Sequence, residues 1–245
     1  MSALLQAELL KLRTTRTFAA LVGAALVLSL IVLVLTTLLQ DRFDESDVRG
    51  LFAGDFTGLF ILLLGVMGMA GEWRHKTITS SVLAAPDRLR LLAAKFISYA
   101  VAGAVLSLIV TLAIMAVGTI ILSSRGLTTL DVSALLDVIW PNLVSAAYLG
   151  ALGVCIGALL RNQVVAIVGV LVLSFALEPL LIGLVPGVGK FAPIGGAPSG
   201  LVGIGFGGDD DKYLLDQVPA ALVMAGWVAL LFAAAAAVLR GRDLT

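Results

Sequence analysis

The stretch FAALVGAALVLSLIVLVLTTLL, Phe18 to Leu39, decides the fold. It carries no charged side chain. At ~1.5 Å rise per residue it is long enough, as a helix, to cross the ~30 Å hydrocarbon core of a bilayer, which takes ~20 largely apolar residues. Lys11, Arg13 and Arg16 precede it, and Asp41, Asp44 and Glu45 follow it. Five more apolar stretches run from Phe56 to Ala70, Phe96 to Leu122, Val138 to Leu160, Val164 to Val185 and Ala220 to Leu239. The second is short, and spans if it starts near Leu51 and carries Asp55 at its outer end, where a carboxylate reaches water. Runs this long must satisfy their own backbone N–H and C=O groups in lipid. The sequence therefore predicts an all-α, polytopic membrane protein with six transmembrane helices.

Composition agrees: 60% of residues are hydrophobic, 13% are charged, and 16 basic side chains balance 16 acidic ones. A neutral total argues against a nucleic-acid surface. The placement of the charges carries more, because Lys and Arg are retained on the cytoplasmic side during insertion. A cytoplasmic N-terminus puts Lys11, Arg13, Arg16, Arg74, Lys76, Arg88, Arg90, Lys95, Arg161, Arg240 and Arg242 inside, 11 residues, and only Arg42, Arg49, Arg125, Lys190 and Lys212 outside, 5 residues. Both termini are predicted to be cytoplasmic. The first apolar run is too long for a cleaved signal, so it is read as a retained span. Cys155, the single cysteine, lies within a span and can form no intramolecular disulfide.

The polar segments differ in character. Before the first span, Leu5, Leu9 and Leu12 share one helical face while Glu8, Lys11 and Arg13 lie elsewhere, which suits an amphipathic elbow helix over 1–16 in the inner interface. The largest cytoplasmic segment, 71–95, reads GEWRHKTITSSVLAAPDRLRLLAAK. Ile78, Val82 and Ala85 recur at helical spacing beside a Thr/Ser-rich face, Pro86 stops that short helix, and Asp87 is placed to cap the next. The segment is either a docking knob for a cytoplasmic partner or a positive-inside loop with a surface helix. His75, the only histidine, cannot by itself build a multi-histidine metal site.

This segment carries a resemblance. Gly71-Glu72 closing the second span, the Lys76-Thr77 step, Ala85-Pro86-Asp87-Arg88, and Lys95 opening the third span resemble the first cytoplasmic loop of ABC-2 type transporter permeases. The likeness extends to the opening Glu8-Leu9-Leu10-Lys11-Leu12-Arg13 and to six spans with both ends inside. It implies one permease domain over 1–245, in the plasma (inner) membrane of a bacterium. Residues 71–95 then form a coupling loop docked on a separate ATP-binding subunit, with two such subunits and a second permease, identical or different, completing the transporter. The coupling residues so implied are Glu72, Arg74, His75, Lys76, Thr77, Ile78, Ser81, Val82, Pro86 and Arg88. ATP and Mg would be bound by the partner subunits, and no cofactor by this chain.

The chain itself shows no phosphate-cradling loop. The nearest approach, Gly187-Val188-Gly189-Lys190, has Leu184 where the first glycine is required and Phe191 where the hydroxyl is required. No cluster of residues has metal-ligand or nucleophile spacing either, so the chain is not read as an enzyme.

Two further features stand out. Ala146, Gly150, Gly153 and Gly157 form a small-residue stripe in the fourth span, suited to close packing either within the subunit or across a dimer. Glu178 follows Phe175 near the end of the fifth span, and an intramembrane carboxylate is read by default as functional. Asp55, Phe175 and Glu178 are thus candidates for an outer cavity or gate, with ordinary interfacial carboxylates as the alternative. After them, Pro179, Pro186, Pro193 and Pro198, with several glycines, break 179–216 into short pieces that resemble the re-entrant exterior helices of similar permeases. Asp209-Asp210-Asp211-Lys212 reads as a solvated loop. The reading is a permease subunit, an exporter by analogy, with an ion-gradient-driven secondary transporter and a membrane-embedded sensor or scaffold as competitors.

Overall fold

A computed structural model describes residues 2–74, 87–160, 162–205 and 213–241. These residues are nearly all helical and contain no strand. A first helix, α1 (Ser2–Thr14), leads into α2 (Arg16–Leu39), then α3 (Glu45–Ala53), α4 (Thr57–Arg74), α5 (Arg88–Ser124) and α6 (Val132–Leu159). Next comes α7 (Gln163–Val172), which widens into a π turn (Leu173–Leu177) and continues as α8 (Glu178–Leu184). Two short helices follow, α9 (Pro186–Gly189) and α10 (Gly196–Val202), before α11 (Gln217–Gly241). Among the described residues, six segments are long and apolar enough to cross a membrane: α2, α3–α4, α5, α6, α7–α8 and α11.

Helix starts follow local chemistry. Asp87 caps α5 by accepting the N–H groups of Leu89 and Arg90, as its position before an apolar run predicts. Asn162 does the same for α7. Asp44 and Asp47 form a reciprocal box at the start of α3, and the Asp47 N–H donated to Asp44 holds that carboxyl below its ordinary value. The π turn immediately precedes Glu178-Pro179; proline has no N–H to donate and crowds the preceding turn, so the helix widens there.

The bundle is organised around α6. Its spanning window is 72% buried within the molecule, against 17% for α2 and for α11. The small-residue stripe explains why. A Cβ at Gly153 would overlap the Leu62 carbonyl of α4, one at Gly150 the Tyr99 carbonyl of α5, and one at Gly157 would lie 2.7 Å from the Val66 carbonyl. Across the contact, a Cβ at Gly65 would lie 2.5 Å from the Gly150 carbonyl. In lipid, where apolar burial gives little net drive, such backbone proximity supplies the dispersion contact that holds helices together. The stripe is therefore used inside the subunit.

Both ends of the chain meet the start of α5. Glu8 of α1 reaches Lys95, and Arg88 donates to the carbonyl of Leu239 in α11 at 2.7 Å. This is the termini end of the bundle; the α5–α6 connection and α8–α10 lie at the far end.

Three expectations need correction. The second span is not one helix beginning near Leu51: it starts at Glu45 and breaks over Gly54–Phe56, where neighbouring side chains satisfy the freed backbone. Phe56 N–H donates to Ser29 Oγ at 3.1 Å, and Thr57 N–H to Asp55 Oδ1 at 2.9 Å. Asp55 accordingly sits beside Thr111, ~20 Å along α5 from its far-end terminus, and not at the outer end of a span. Finally, α1 turns Leu5, Glu8 and Leu12 inward while Leu9 is exposed, because Lys95 gives Glu8 a partner that Leu9 lacks.

Candidate functional site

Four charged side chains gather at the termini end, from α1, α4 and α5. Lys95, only 1% exposed, places Nζ 2.7 Å from Glu8 Oε2 and 2.8 Å from Glu72 Oε1. Lys11, on the rim, reaches Glu8 Oε1 at 2.7 Å and Glu72 Oε1 at 3.4 Å. The two cations and two carboxylates compensate one another, which is the condition for burying such groups. Burial alone would raise the Glu8 carboxyl, but the attraction of Lys95 and Lys11 outweighs it and holds the group below its ordinary value. The cluster lines a cavity of ≈ 730 Å³, together with Gly68, Tyr99 and Gln163. Gly68 is required here, since a Cβ would overlap the Tyr99 hydroxyl.

The predicted coupling residues divide around this cluster. Glu72 belongs to it. Arg74 ends α4 and is exposed, and Arg88 ties α5 to α11. His75, Lys76, Thr77, Ile78, Ser81, Val82 and Pro86 lie outside the described residues, as do Arg161 and Asp209–Lys212.

Towards the far end, a second cavity of ≈ 330 Å³ opens at the α3–α4 break. Asp55, Asn142, Ser145, Ser174 and Ser199 supply its polar lining, and Phe56 and Phe175 are among its apolar walls. Asn142 Nδ2 donates to Thr111 Oγ1 at 3.3 Å, and Thr111 donates on to Asp55 Oδ2 at 3.2 Å. Glu178 stands apart from that lining. It is 3% exposed and accepts the backbone N–H groups of Ile194, at 3.0 Å, and Gly195. With Tyr148 donating to the Pro193 carbonyl and Trp227 to the Phe191 carbonyl, each at 2.8 Å, it pins the segment between α9 and α10 to the bundle. Of the three path candidates, Asp55 and Phe175 share a cavity, and Glu178 holds its wall.

Lys95 as an internal partner, Thr111 and Asn142 escaped sequence reasoning. A signal for Lys95 was present: Leu92, Lys95, Tyr99, Ala102 and Leu106 recur at helical spacing, so the lysine falls on the buried stripe of α5. Counting it only as an interior-side charge hid that. Nothing in spacing pairs Thr111 with Asp55, because that contact depends on the α3–α4 break.

No curated protein matches the chain. The family model described as ABC-2 family transporter protein matches residues 4–177, from α1 through the π turn. With that match covering well over half its length, and with six helices able to cross a membrane, the chain belongs to the ABC-2 family of transporter proteins.

Proposed function

We propose that this chain is the permease subunit of an ATP-driven exporter in the bacterial inner membrane, with both termini cytoplasmic. It pairs with a second permease, and two separate ATP-binding subunits bind ATP and Mg and hydrolyse the nucleotide. The termini end of the bundle is then the cytoplasmic end, α1 is the elbow helix in the inner interface, and α8–α10 form the re-entrant exterior segment.

One observation carries the reading. The Lys95–Glu8–Glu72 cluster joins α1, α4 and α5 where the chain leaves α4 at Arg74 and returns at Asp87. A push delivered to the intervening coupling loop would reach α4 and α5 together, because the buried charges resist separation. From there α4 transmits it through the close glycine contacts with α6. The far end of α4 carries Asp55 and the second cavity, so motion at one end bears on the substrate path at the other. Interfaces packed this tightly move as rigid bodies.

The experiment is reconstitution with a candidate ATP-binding subunit from the same organism. Arg74→Glu, at the exposed end of α4, is expected to weaken association with that subunit and to lower ATP-dependent efflux in proportion. Undiminished association and efflux would overturn the docking assignment. Arg88 is a poorer probe, since its tie to α11 confounds docking with stability.

A further inference from the structure

The far-end cavity joins a carboxylate to apolar walls without supplying a cation. Asp55 Oδ1 accepts from the Thr57 N–H and Oδ2 from the Thr111 hydroxyl, both neutral donors. The Thr57 hydroxyl also lies against the carboxylate; an ionised carboxylate offers about four acceptor sites, so about one remains for a ligand. The start of α4 contributes about half a positive charge through its aligned peptide dipoles, which leaves roughly half the negative charge uncompensated. Among the described residues lining the cavity there is no Lys, Arg or His. Asp55 is half-buried, and the buried carboxylates described are answered: Glu8 and Glu72 by Lys95, Glu178 by backbone N–H groups.

Two independent features complete a receptor for a cation. Ser174 Oγ is buried without a hydrogen-bond partner, and Ser174 lines the cavity. Its lone pairs are available to an N–H donor. Phe56 and Phe175 also line it. Aromatic faces attract ammonium groups, most strongly where water is scarce. The volume, ≈ 330 Å³, sits at the lower end of the range for small-ligand sites.

From this we infer that the far-end cavity binds an organic monocation: a protonated primary amine on an apolar body, its ammonium between Asp55 and Ser174 and its body against the phenyl rings. The description of this ligand class as cargo rests on the permease reading; the binding itself does not.

The test uses radiolabelled phenethylammonium and the full chain in lipid nanodiscs at pH 7, without any ATP-binding subunit. Wild type is expected to bind it saturably, with the uncharged analogue 2-phenylethanol competing at least tenfold more weakly. Asp55→Asn keeps an acceptor for the Thr57 N–H, and Asn caps helices about as well as Asp, so it removes the charge and, besides that, only the acceptor that faces the Thr111 hydroxyl. It should weaken binding at least tenfold. Phe175→Ala, at an exposed position, should weaken it about threefold. If Asp55→Asn does not elute as folded protein, competition by 2-phenylethanol on wild type and the Phe175 variant decide. Absence of saturable binding, equal competition by the alcohol, or wild-type affinity in Asp55→Asn would each overturn the inference. A chain that binds the amine but ignores the ATP-binding subunit defeats the permease reading alone; one that couples to the subunit and ignores the amine defeats only this assignment.

Discussion

Replacing Lys95 by Met tests the buried charge cluster most directly. Met fills nearly the same volume, so the change removes the cation without opening a void. What remains is Glu8, 4% exposed, and Glu72, 8% exposed, both in reach of the rim cation Lys11. Breaking a buried ion pair from one side costs about 3–5 kcal/mol. A limit comes from protonation. Neutralising one carboxyl of ordinary value 4.5 at pH 7 spans 2.5 units, or ~3.4 kcal/mol at 1.36 kcal/mol per unit. Since Lys11 retains its contact with Glu8, a loss of about 2–4 kcal/mol is expected. On the scaling of soluble domains of similar length, roughly 2–4 °C per kcal/mol, Tm should fall by ~5–15 °C. Thermal unfolding of the purified, detergent-solubilised protein reads this.

Its pH dependence has a definite sign. In wild type the Glu8 carboxyl is held below 4.5, so its contribution to stability is complete above that pH and is lost as pH falls below it. In Lys95→Met the attraction weakens and burial dominates, which raises the folded value above the unfolded one. The penalty is then present at neutral pH and relieved as pH drops, so the gap between variant and wild type should narrow between pH 7 and 5. Glu8→Gln combined with Lys95→Met should recover part of the loss, because one uncompensated carboxylate is gone. A variant melting within 1 °C of wild type at pH 7 (against ~5–15 °C expected), or a gap that stays constant with pH, would refute the cluster as a structural lock.

Two other substitutions address the fold around the site. Gly153→Val should abolish monodisperse folded protein, since its side chain would occupy the position of the Leu62 carbonyl, whereas Gly23→Ala, with open space around it, should leave the size-exclusion profile unchanged; equal profiles would show that α4 and α6 are not in backbone contact. Glu178→Leu should strand the N–H groups of Ile194 and Gly195, at about 1–3 kcal/mol for each buried group. Hydrogen exchange over 190–200 should quicken while Glu178→Gln, which keeps a carbonyl acceptor, changes it less; equal protection in both variants would remove Glu178 as the anchor of that segment.

Much of the architecture was legible in the chain itself. Apolar runs of bilayer length have one solution in lipid, so the six spans followed from length and charge alone. Asp87 as a cap was readable too, because capping is decided within a few residues. The four-residue period of Gly153 and Gly157 announced close packing, yet gave no indication of which helix would receive it. Likewise Glu178 was conspicuous as a carboxylate in an apolar run, while its anchoring role depended on Ile194 and Gly195 folding back over it.

The sequence by itself determined the all-helical membrane class, the number of spans, and a charge asymmetry from which orientation is argued. Those properties come from interactions of each segment with solvent or lipid, which composition and period encode. Only the tertiary structure decided that Lys95 joins Glu8 and Glu72, that α6 rather than a second subunit uses the glycine stripe against α4 and α5, and that a break at Gly54–Phe56 carries Asp55 down beside Thr111. Each of these is a meeting between residues far apart in the chain. Charge pairing and steric fit are set by distance in space, and no local pattern records it.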